Sequence, residues 1–371
     1  SQDADSEGVE GRFFTWSWTE LTELVGEPAA RALGATAQGN WAGDGHGATN
    51  VLWRPPPRAD DASGLDADLD ATELDEARAT LFAARESRVH PATDDKVLAA
   101  WNGMVIGALA EAGRTFGERA YVDAAERAAS FVLEHLRDAD GRVLRSWRNG
   151  VTSGRGFLDD HALIASACLT LYETTFDVAW FEHARSIADE MRRLFADPGG
   201  GFFQTGADAE ELLVRPKELY DNATPSGNSV AADVLLRLAA FTGDAVLERE
   251  AVGALRSVAE GMARAPGAFG HALCVLDRLV GPRREVAIVG DPEADDTRAL
   301  LAEASVRSFR PNTVLAVASP DDDRATAAIP LLRDRAMTGG AATAFVCEGF
   351  ACRLPVTDPA ALGAQLDELA G

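Results

Sequence analysis

The sequence is almost without lysine and has no long apolar run. Only Lys96 and Lys217 are lysines among its 35 basic residues, against 59 acidic residues, so the formal net charge is −24. This excess of acid excludes nucleic acid and anionic membranes as favoured partners, because both would be repelled. No stretch of about 18 consecutive apolar residues occurs, so no membrane-spanning helix is predicted.

Cysteine is also scarce, and the N-terminus has no basic-then-apolar signal pattern, which predicts a cytoplasmic protein. The cysteines have neither CxxC nor zinc-ligand spacing, so they are predicted to be small core residues in a reducing compartment. No metal or cofactor is predicted. The four cysteines are Cys168, Cys274, Cys347 and Cys352.

The preference for arginine leaves two explanations open, a salt-loving organism or a high-GC genome. Either way, the two lysines that remain indicate places where the planar guanidinium of arginine does not serve. Both lie beside acids, in Asp94-Asp95-Lys96 and in Lys217-Glu218.

The middle of the chain repeats with a period of 60 residues. Phe116 and Phe176 are 60 residues apart, as are Gly141 and Gly201, and a third copy begins at Phe241. Such a period is typical of stacked supersecondary units. Each copy contains an apolar helix, a short turn, an amphipathic helix and a glycine-bearing loop.

The two helices of each copy have different hydrophobic patterns. The second carries one apolar stripe, as at Tyr121, Ala125 and Val132, and is expected to have one face in water. The first, beginning near Trp101, Ala162 and Ser229, is apolar nearly all round and is expected to be buried. Alternation of buried and half-buried helices predicts an inner ring wrapped by an outer one, an α/α toroid.

Polar residues cluster at or before the start of each apolar helix. Inner helices of a toroid run parallel, so their N-termini, with free N–H groups, gather at one mouth. A polar, donor-rich pocket is therefore predicted there. The clustered residues are Asp94, Asp95, Lys96, Asn102, Asp159, Asp160, His161, Lys217, Glu218, Asp221, Asn222, Ser226 and Asn228.

The pattern changes after Pro282. Residues 285–290 and 313–319 read as strands flanking a helix near 299–309, and 342–347 and 359–369 read as a further strand and helix. The segment EVAIVGDP lacks the GxGxxG pattern of nucleotide sites. The predicted domains are an α/α barrel portion, 1–283, and a small α/β appendage, 284–371.

Several strings spread in order over the chain resemble the C-terminal region of the spermatogenesis-associated protein 20 family, whose members contain a thioredoxin-like domain. These strings are DADSEG at 3–8, GRFFTW at 11–16, DDKVL at 94–98, AWNG at 100–103, DD at 159–160, GGFF at 200–203, RPKE at 215–218 and PSGNSV at 225–230.

This resemblance implies an (α/α)6 toroid like those of six-hairpin glycosidases and N-acylglucosamine 2-epimerase-type enzymes. The chain begins at the DADSEG string without an initiator methionine. We therefore expect an incomplete toroid, a fragment that lacks the thioredoxin-like domain and about two hairpins. The resemblance also makes the acids of DADSEG, Glu7 above all, candidates to face the pocket; a calcium loop is discounted because Phe14 stands where its last glutamate would be.

Each candidate has a structural interpretation beside the functional one. One of Asp159 and Asp160 is expected to cap its helix, and the other to act as general acid or base. His161 is a candidate because epimerases of this fold use paired histidines. Lys217 and Glu218 are expected to form a solvated ion pair or to assist catalysis.

The binding candidates are similarly ambiguous. Trp101 is expected to pack in a buried helix, with sugar stacking as the alternative. Ser226 and Asn228 follow Thr224-Pro225, a typical helix start, so local structure competes with sugar binding.

Two hypotheses about function follow. The first is a metal-free, carbohydrate-directed acid–base enzyme, either an isomerase or epimerase relying on His161 or a hydrolase with two carboxylates. Asp159 or Asp160 would be its principal carboxylate, and Asn102 and Asn228 would bind hydroxyls. The second is a non-catalytic binding or scaffolding module that works with a thioredoxin-like domain.

Overall fold

The structure, a computed structural model, describes residues 1–41, 47–54, 69–210, 213–307 and 309–368. It forms two compact units, Ser1–Asp95 and Lys96–Gly371. Among the helices described, none combines the length and the apolar character that crossing a membrane would need.

The described residues of the first unit form two helices and two short antiparallel strand pairs. Trp16, Leu21 and Leu81 are buried in its core. Asp70 and Glu73 form a reciprocal capping box at the start of the second helix, in which each side chain accepts an N–H of the other residue. The elements are β1 (Asp5–Ser6), β2 (Val9–Glu10), β3 (Trp16–Ser17), α1 (Trp18–Ala32), β4 (Thr49–Asn50) and α2 (Ala71–Glu86).

The second unit begins with helical hairpins. Helices α3, α5 and α7 lie side by side, and each packs against the helix that follows it in the chain. The elements are β5 (Val97–Leu98), α3 (Ala99–Phe116), α4 (Arg119–His135), β6 (Leu144–Arg148), β7 (Val151–Arg155), α5 (Leu158–Thr175), α6 (Val178–Phe195), α7 (Gly227–Thr242), α8 (Ala245–Arg264) and α9 (Gly270–Val280).

The predicted inner and outer layers are confirmed for α5 to α8, but the prediction that α3 is buried nearly all round is wrong, because one of its sides, with Trp101 and Val105, is exposed. Helices α5 and α7 are buried nearly all round, whereas α4, α6 and α8 each bury one stripe. The mainly α fold is thus an arc of an α/α toroid, with three hairpins and α9 among the described residues of the second unit.

The 60-residue repeat is visible in the contact between α3 and α5. A Cβ on Gly103 would lie 2.7 Å from the carbonyl carbon of Leu163, and one on Gly107 would lie 4.0 Å from the Cα of Ala167. Both partners are 60 residues further along the chain, so the two helices run parallel and in register.

The last part of the chain is an α/β layer against the helices. The elements are β8 (Arg284–Val289), α10 (Asp295–Ser305), β9 (Thr313–Ala318), α11 (Asp323–Ala328), β10 (Thr343–Glu348), β11 (Ala351–Cys352) and α12 (Pro359–Asp367). The strand order is β11-β10-β8-β9, with β8 and β9 parallel and the other pairs antiparallel. The three predicted strands and two predicted helices are present, although α10 begins and ends earlier than the predicted 299–309. The domain boundary at 283/284 stays a prediction.

The two faces of this sheet pack differently. Ala287 and Ala316 belong to the core of the helical hairpins, whereas Ile288 and Leu315 pack with residues of α10 and α12. Because side chains alternate along a strand, the sheet is covered by helices on both faces. The α/β layer and the hairpins therefore share one core.

The prediction that all cysteines are reduced core residues is wrong for three of them. Cys347 and Cys352 form a disulfide between paired positions of β10 and β11. Cys274 is exposed, and only Cys168 is a buried free thiol. The pairing depends on the register of a hairpin, which the C-x4-C spacing did not reveal.

Candidate functional site

The starts of α3, α5 and α7 lie together at one end of the second unit, as predicted, and the start of α9 joins them. The Ala100 N–H of α3 donates to Asp160 of α5 at 3.0 Å. A Cβ on Gly227 of α7 would lie 3.0 Å from the Asp159 backbone nitrogen. Asp221 accepts N–H bonds from Ser226 (2.8 Å) and Ala272 (2.9 Å), which joins the starts of α7 and α9.

Asp160 is a structural residue within this group. Its carboxylate is fully buried and accepts N–H bonds from Ala100 and Phe157, and Arg145 Nη1 lies 3.0 Å from both carboxylate oxygens. Burial and the negative charge of Asp159 raise the pKa of Asp160, against the opposing effects of the Phe157 N–H and Arg145. The carboxylate holds the starts of α3 and α5 together.

Asp159 lies beside Asp160, but its carboxylate has no backbone partner among the described residues. Its Oδ2 is 3.0 Å from Arg145 Nη1, and its Oδ1 accepts from Gln204 Nε2 at 3.3 Å. The side chain is 22% exposed, against 0% for Asp160. Only one of the two adjacent aspartates is therefore accessible to a ligand.

His161 is buried between α5 and α6. Its Nδ1 lies 2.9 Å from the Phe157 carbonyl, and its Nε2 lies 3.1 Å from Arg142 Nη1. An arginine can only donate and a carbonyl can only accept, so the ring is the neutral tautomer with its hydrogen on Nδ1. Both nitrogens are occupied, and the ring packs on Phe195 rather than facing solvent.

Asn228 and Ser226 are also used by the backbone. Asn228 exchanges two hydrogen bonds with the Phe202 N–H and C=O and donates a third to the Glu218 carbonyl. Ser226 is the N-cap of α7, accepting from the Ser229 N–H at 3.1 Å. These bonds fix the loops before α7, which is the local role expected from the preceding Thr-Pro.

Lys217 stabilises the turn that contains Asp197 and Gly200. Its Nζ lies 2.6 Å from Asp197 Oδ2 and donates to the Gly200 carbonyl at 2.5 Å, reaching two groups in different directions as a compact ammonium can. The side chains of Glu218 and Asn222 are exposed. The Lys217–Glu218 cluster thus contributes one structural cation and one solvent-facing acid.

Trp101 is not packed in the core as expected, since it is 55% exposed. It lies about 200° around α3 from Gly103, which faces α5, and shares its side with exposed Val105. Asn102 donates to the Leu98 carbonyl at 2.8 Å within its own helix start. Lys96, the first residue of the second unit, is exposed.

The remaining predicted residues belong to the first unit. Glu7 pairs with Arg12 at 3.0 Å, and the backbone of Asp94 is hydrogen-bonded to Ser1. Asp95 is exposed at the end of the unit. These three acids belong to a different unit from the starts of α3, α5, α7 and α9.

A charged cavity of about 370 Å³ lies further along the inner helices. Arg237 is buried, with Nη2 2.5 Å from Glu173 Oε2, and Arg278 Nε lies 2.8 Å from Asp233 Oδ1. Ser166, Thr170 and Glu173 line this cavity from α5. Leu315 of β9 donates to Glu173 Oε1 at 3.2 Å, so the sheet contributes to the cavity wall.

Asp159 points toward the same side of α5 as this cavity lining. Residues 159, 166, 170 and 173 are separated by 7, 4 and 3 positions, which places them within about 60° of one another around the helix. Asp160 and His161 lie about 100° and 200° away. The axial face of α5, defined by these four residues, runs from the helix starts to the cavity.

Sequence reasoning missed the charged residues of the cavity. Glu173, Asp233 and Arg237 stand within apolar inner helices, and charges in such helices need partners. Charged residues within otherwise apolar helices were therefore the sequence signal for this cavity. No three His, Cys, Asp or Glu side chains of the described ranges converge as metal ligands would.

The fold and the site define a protein of the α/α-toroid class. Its resemblance to the spermatogenesis-associated protein 20 family is confirmed: the chain is 32% identical to the human protein of that name over 400 residues, which is 98% of this chain and 51% of the relative. An uncharacterised Caenorhabditis elegans protein is 28% identical over 96% of the chain and 52% of its own length. The chain thus spans about half the length of the curated relatives it matches. No family model matches.

Some solved structures are similar over about half of the chain. Cellobiose 2-epimerase from Spirochaeta thermophila has a TM-score of 0.38 and 15% identity, covering 46% of this chain and 44% of its own. The GH76A α-1,6-mannanase from Salegentibacter sp. has a TM-score of 0.37 and 15% identity, covering 53% and 56%. These likenesses are partial and transfer no ligand or activity to this chain.

Proposed function

We propose that this chain is a carbohydrate-directed acid–base module whose ligand lies along the axial face of α5, with Asp159 as its principal carboxylate. The observation that carries this proposal is the division between two adjacent aspartates. Asp160 is fully buried and accepts two backbone N–H bonds, while Asp159 is partly exposed and is bonded by the side chains of Arg145 and Gln204.

The groups along this face suit a hydroxylated ligand. Asp159 is an acceptor for sugar hydroxyls, and Arg145 and Gln204 beside it carry donors. Ser166 and Thr170 supply hydroxyls deeper along the same face. The cavity of about 370 Å³ lies within the range of small-molecule sites.

For Asp159, the spacing of carboxylates along α5 favours proton transfer over glycoside hydrolysis. The cavity does contain two neighbouring carboxylates, Glu173 and Asp233, but both are paired with the buried Arg237. A hydrolase needs two carboxylates about 5–9.5 Å apart. Glu173, the other carboxylate on this face, is 14 residues from Asp159, or about 21 Å along the helix. We therefore assign an isomerase- or epimerase-type step to Asp159 alone, abstracting a proton alpha to a sugar carbonyl. His161 has no part in this assignment, because both of its ring nitrogens are occupied.

The test is turnover of a panel of reducing mono- and disaccharides in D2O, followed by mass spectrometry. Proton abstraction introduces solvent deuterium, whereas cleavage changes the mass of the product. Asp159→Asn should lower turnover at least about 100-fold, the usual contribution of a general base. Asp189→Asn, at an exposed position of α6, is the matched control and should change nothing. Turnover that survives in Asp159→Asn contradicts the proposal.

A non-catalytic binding module is the second candidate. It is favoured by the number of predicted catalytic groups that serve the backbone or another side chain, namely Asp160, His161 and Lys217. In that case calorimetry would detect sugar binding that weakens in Asp159→Asn, while no sugar is converted. The thioredoxin-like partner implied by the family resemblance belongs to this alternative.

A further inference from the structure

The Cys347–Cys352 disulfide lies on the edge of the α/β sheet, far in sequence from the carbohydrate site. It joins paired residues of β10 and β11, and β11 is the edge strand of its sheet. The two sulfurs differ in access, because Cys347 is buried and Cys352 is exposed. An incoming thiol can therefore approach Cys352.

A single guanidinium faces both sulfurs. Arg335 Nη2 lies 3.2 Å from the Sγ of Cys347 and 3.0 Å from the Sγ of Cys352. Its Nη1 donates to the Arg333 carbonyl, and its Nε is buried without a hydrogen-bond partner. The guanidinium also lies over the ring of Phe345 in β10, with its Cζ 5.5 Å from the ring centroid.

Arg335 has no ion-pair partner among the described residues. The nearby carboxylate of Glu285 is occupied instead by the N–H groups of Gly349 and Phe350 in the β10–β11 turn. Burial lowers the pKa of Arg335, and the negative charges of Asp334 and Glu285 oppose this effect without outweighing it. A thiolate at Cys347 would supply the missing negative charge at hydrogen-bond distance.

We propose that Cys347–Cys352 is a redox-active disulfide that exchanges with an external dithiol, and that Arg335 stabilises the Cys347 thiolate released in this exchange. The site is independent of the carbohydrate proposal. The substrate class is a dithiol, either a small molecule or a cysteine pair on another protein surface.

The exchange proceeds by two successive thiolate attacks. A thiolate of the external dithiol attacks the Sγ of exposed Cys352, forming a mixed disulfide, and the electron pair of the broken S–S bond stays on Cys347 as a thiolate beside Arg335. The second thiol of the reagent, as its thiolate, then attacks the reagent sulfur of the mixed disulfide and releases Cys352 as a thiolate. The cysteine pair gains two electrons and takes up protons as its pKa values dictate, and the dithiol becomes a disulfide.

Cys168 does not share this environment. Cys168 is fully buried, and burial raises its pKa to about 12, so it is unreactive near neutral pH. Mass spectrometry of the peptides after alkylation distinguishes the labelling of Cys168 and Cys274 from that of Cys347 and Cys352.

The test uses the full chain equilibrated with dithiothreitol at fixed ratios of its reduced and oxidised forms, then alkylated. In Arg335→Gln, half-reduction of the disulfide should require at least about a tenfold higher ratio of reduced to oxidised dithiothreitol. The reason is that this variant lacks the positive charge that stabilises the Cys347 thiolate. Arg335→Lys, which keeps a cation, should recover most of the difference. Arg353→Gln is the matched control, since Arg353 pairs with Glu368 rather than with a sulfur.

A second measurement separates this role from a structural one. In Cys352→Ser, the rate of alkylation of the remaining Cys347 thiol should rise with a midpoint pH below about 8.5, the pKa of a free cysteine. Adding Arg335→Gln should move that profile upward by at least about one pH unit. An unchanged half-reduction ratio in Arg335→Gln, or an unchanged Cys347 profile in the double variant, overturns the proposal, provided that circular dichroism shows folded protein.

Discussion

Gly103 of α3 lies directly against the backbone of Leu163 in α5, where a Cβ would be 2.7 Å from the Leu163 carbonyl carbon. Real Cβ contacts are not that short, so the two inner helices approach as closely as they do only because residue 103 has no side chain. Gly107, one turn later on the same side of α3, meets only the Cα of Ala167 at 4.0 Å. The contact opens slightly along the helix pair.

These two glycines make a matched pair of substitutions. Gly103→Ala should destabilise the protein by about 1–3 kcal/mol, because backbone atoms must move apart. Gly107→Ala should be neutral or stabilising by up to about 1 kcal/mol, since alanine favours a helix interior. Urea unfolding of both variants checks this prediction, and equal effects would show that the helices are not in the register described.

Asp160 and Asp159 should differ in their contribution to stability. Asp160→Ala leaves two buried N–H groups and Arg145 without their acceptor, and should lower the free energy of unfolding by about 2–4 kcal/mol. Asp159→Ala removes only partly exposed side-chain contacts and should cost less than about 1 kcal/mol. Thermal and urea denaturation measure both; a larger loss from Asp159→Ala would reverse the roles assigned to the two residues.

The buried pair of Arg237 and Glu173 should be sensitive to removal of one partner. Arg237→Met leaves the Glu173 carboxylate buried without its cation and should cost about 3–5 kcal/mol. Replacing both residues by apolar ones should recover much of that loss, which a double-mutant cycle measures. Arg264→Met breaks an exposed pair with Glu260 on α8 and should change stability by less than about 1 kcal/mol.

Asp233 should make stability depend on pH in the acid range. Burial alone would raise its pKa, but the charges of Arg278 and Arg237 outweigh that effect, and the pKa is lowered. The stabilisation is then fully present above the unfolded-state pKa of about 3.9 and is lost as the pH falls through the folded-state value. Below pH about 4, Asp233→Asn should lose stability less steeply than wild type in urea unfolding; parallel curves would contradict the assignment.

The repeat and the helices could be predicted from the sequence because their causes are local. Stripes such as Phe181, Ala184 and Ala188 on α6 reflect the helical period directly, and the 60-residue spacing of Gly103 and Leu163 repeats that of Phe116 and Phe176. The gathering of helix starts followed from the parallel arrangement of inner helices. These features need no knowledge of distant contacts.

The roles of individual site residues could not be predicted in the same way. Whether Asp159 or Asp160 is structural depends on the Ala100 N–H, which reaches Asp160 from the neighbouring helix α3. His161 is occupied by Arg142, which lies between α4 and β6. The disulfide depends on the two-residue turn at Gly349 and Phe350, which sets Cys347 opposite Cys352.

The helical cover on both faces of the C-terminal sheet has a consequence for how the second unit unfolds. Ala287 and Ala316 lie against the same interior as Leu169 and Leu235, so strands β8 and β9 cannot separate without opening the hairpins to water. Their amide hydrogens should therefore exchange with solvent as slowly as those at the centre of α5, because both are released in the same cooperative event.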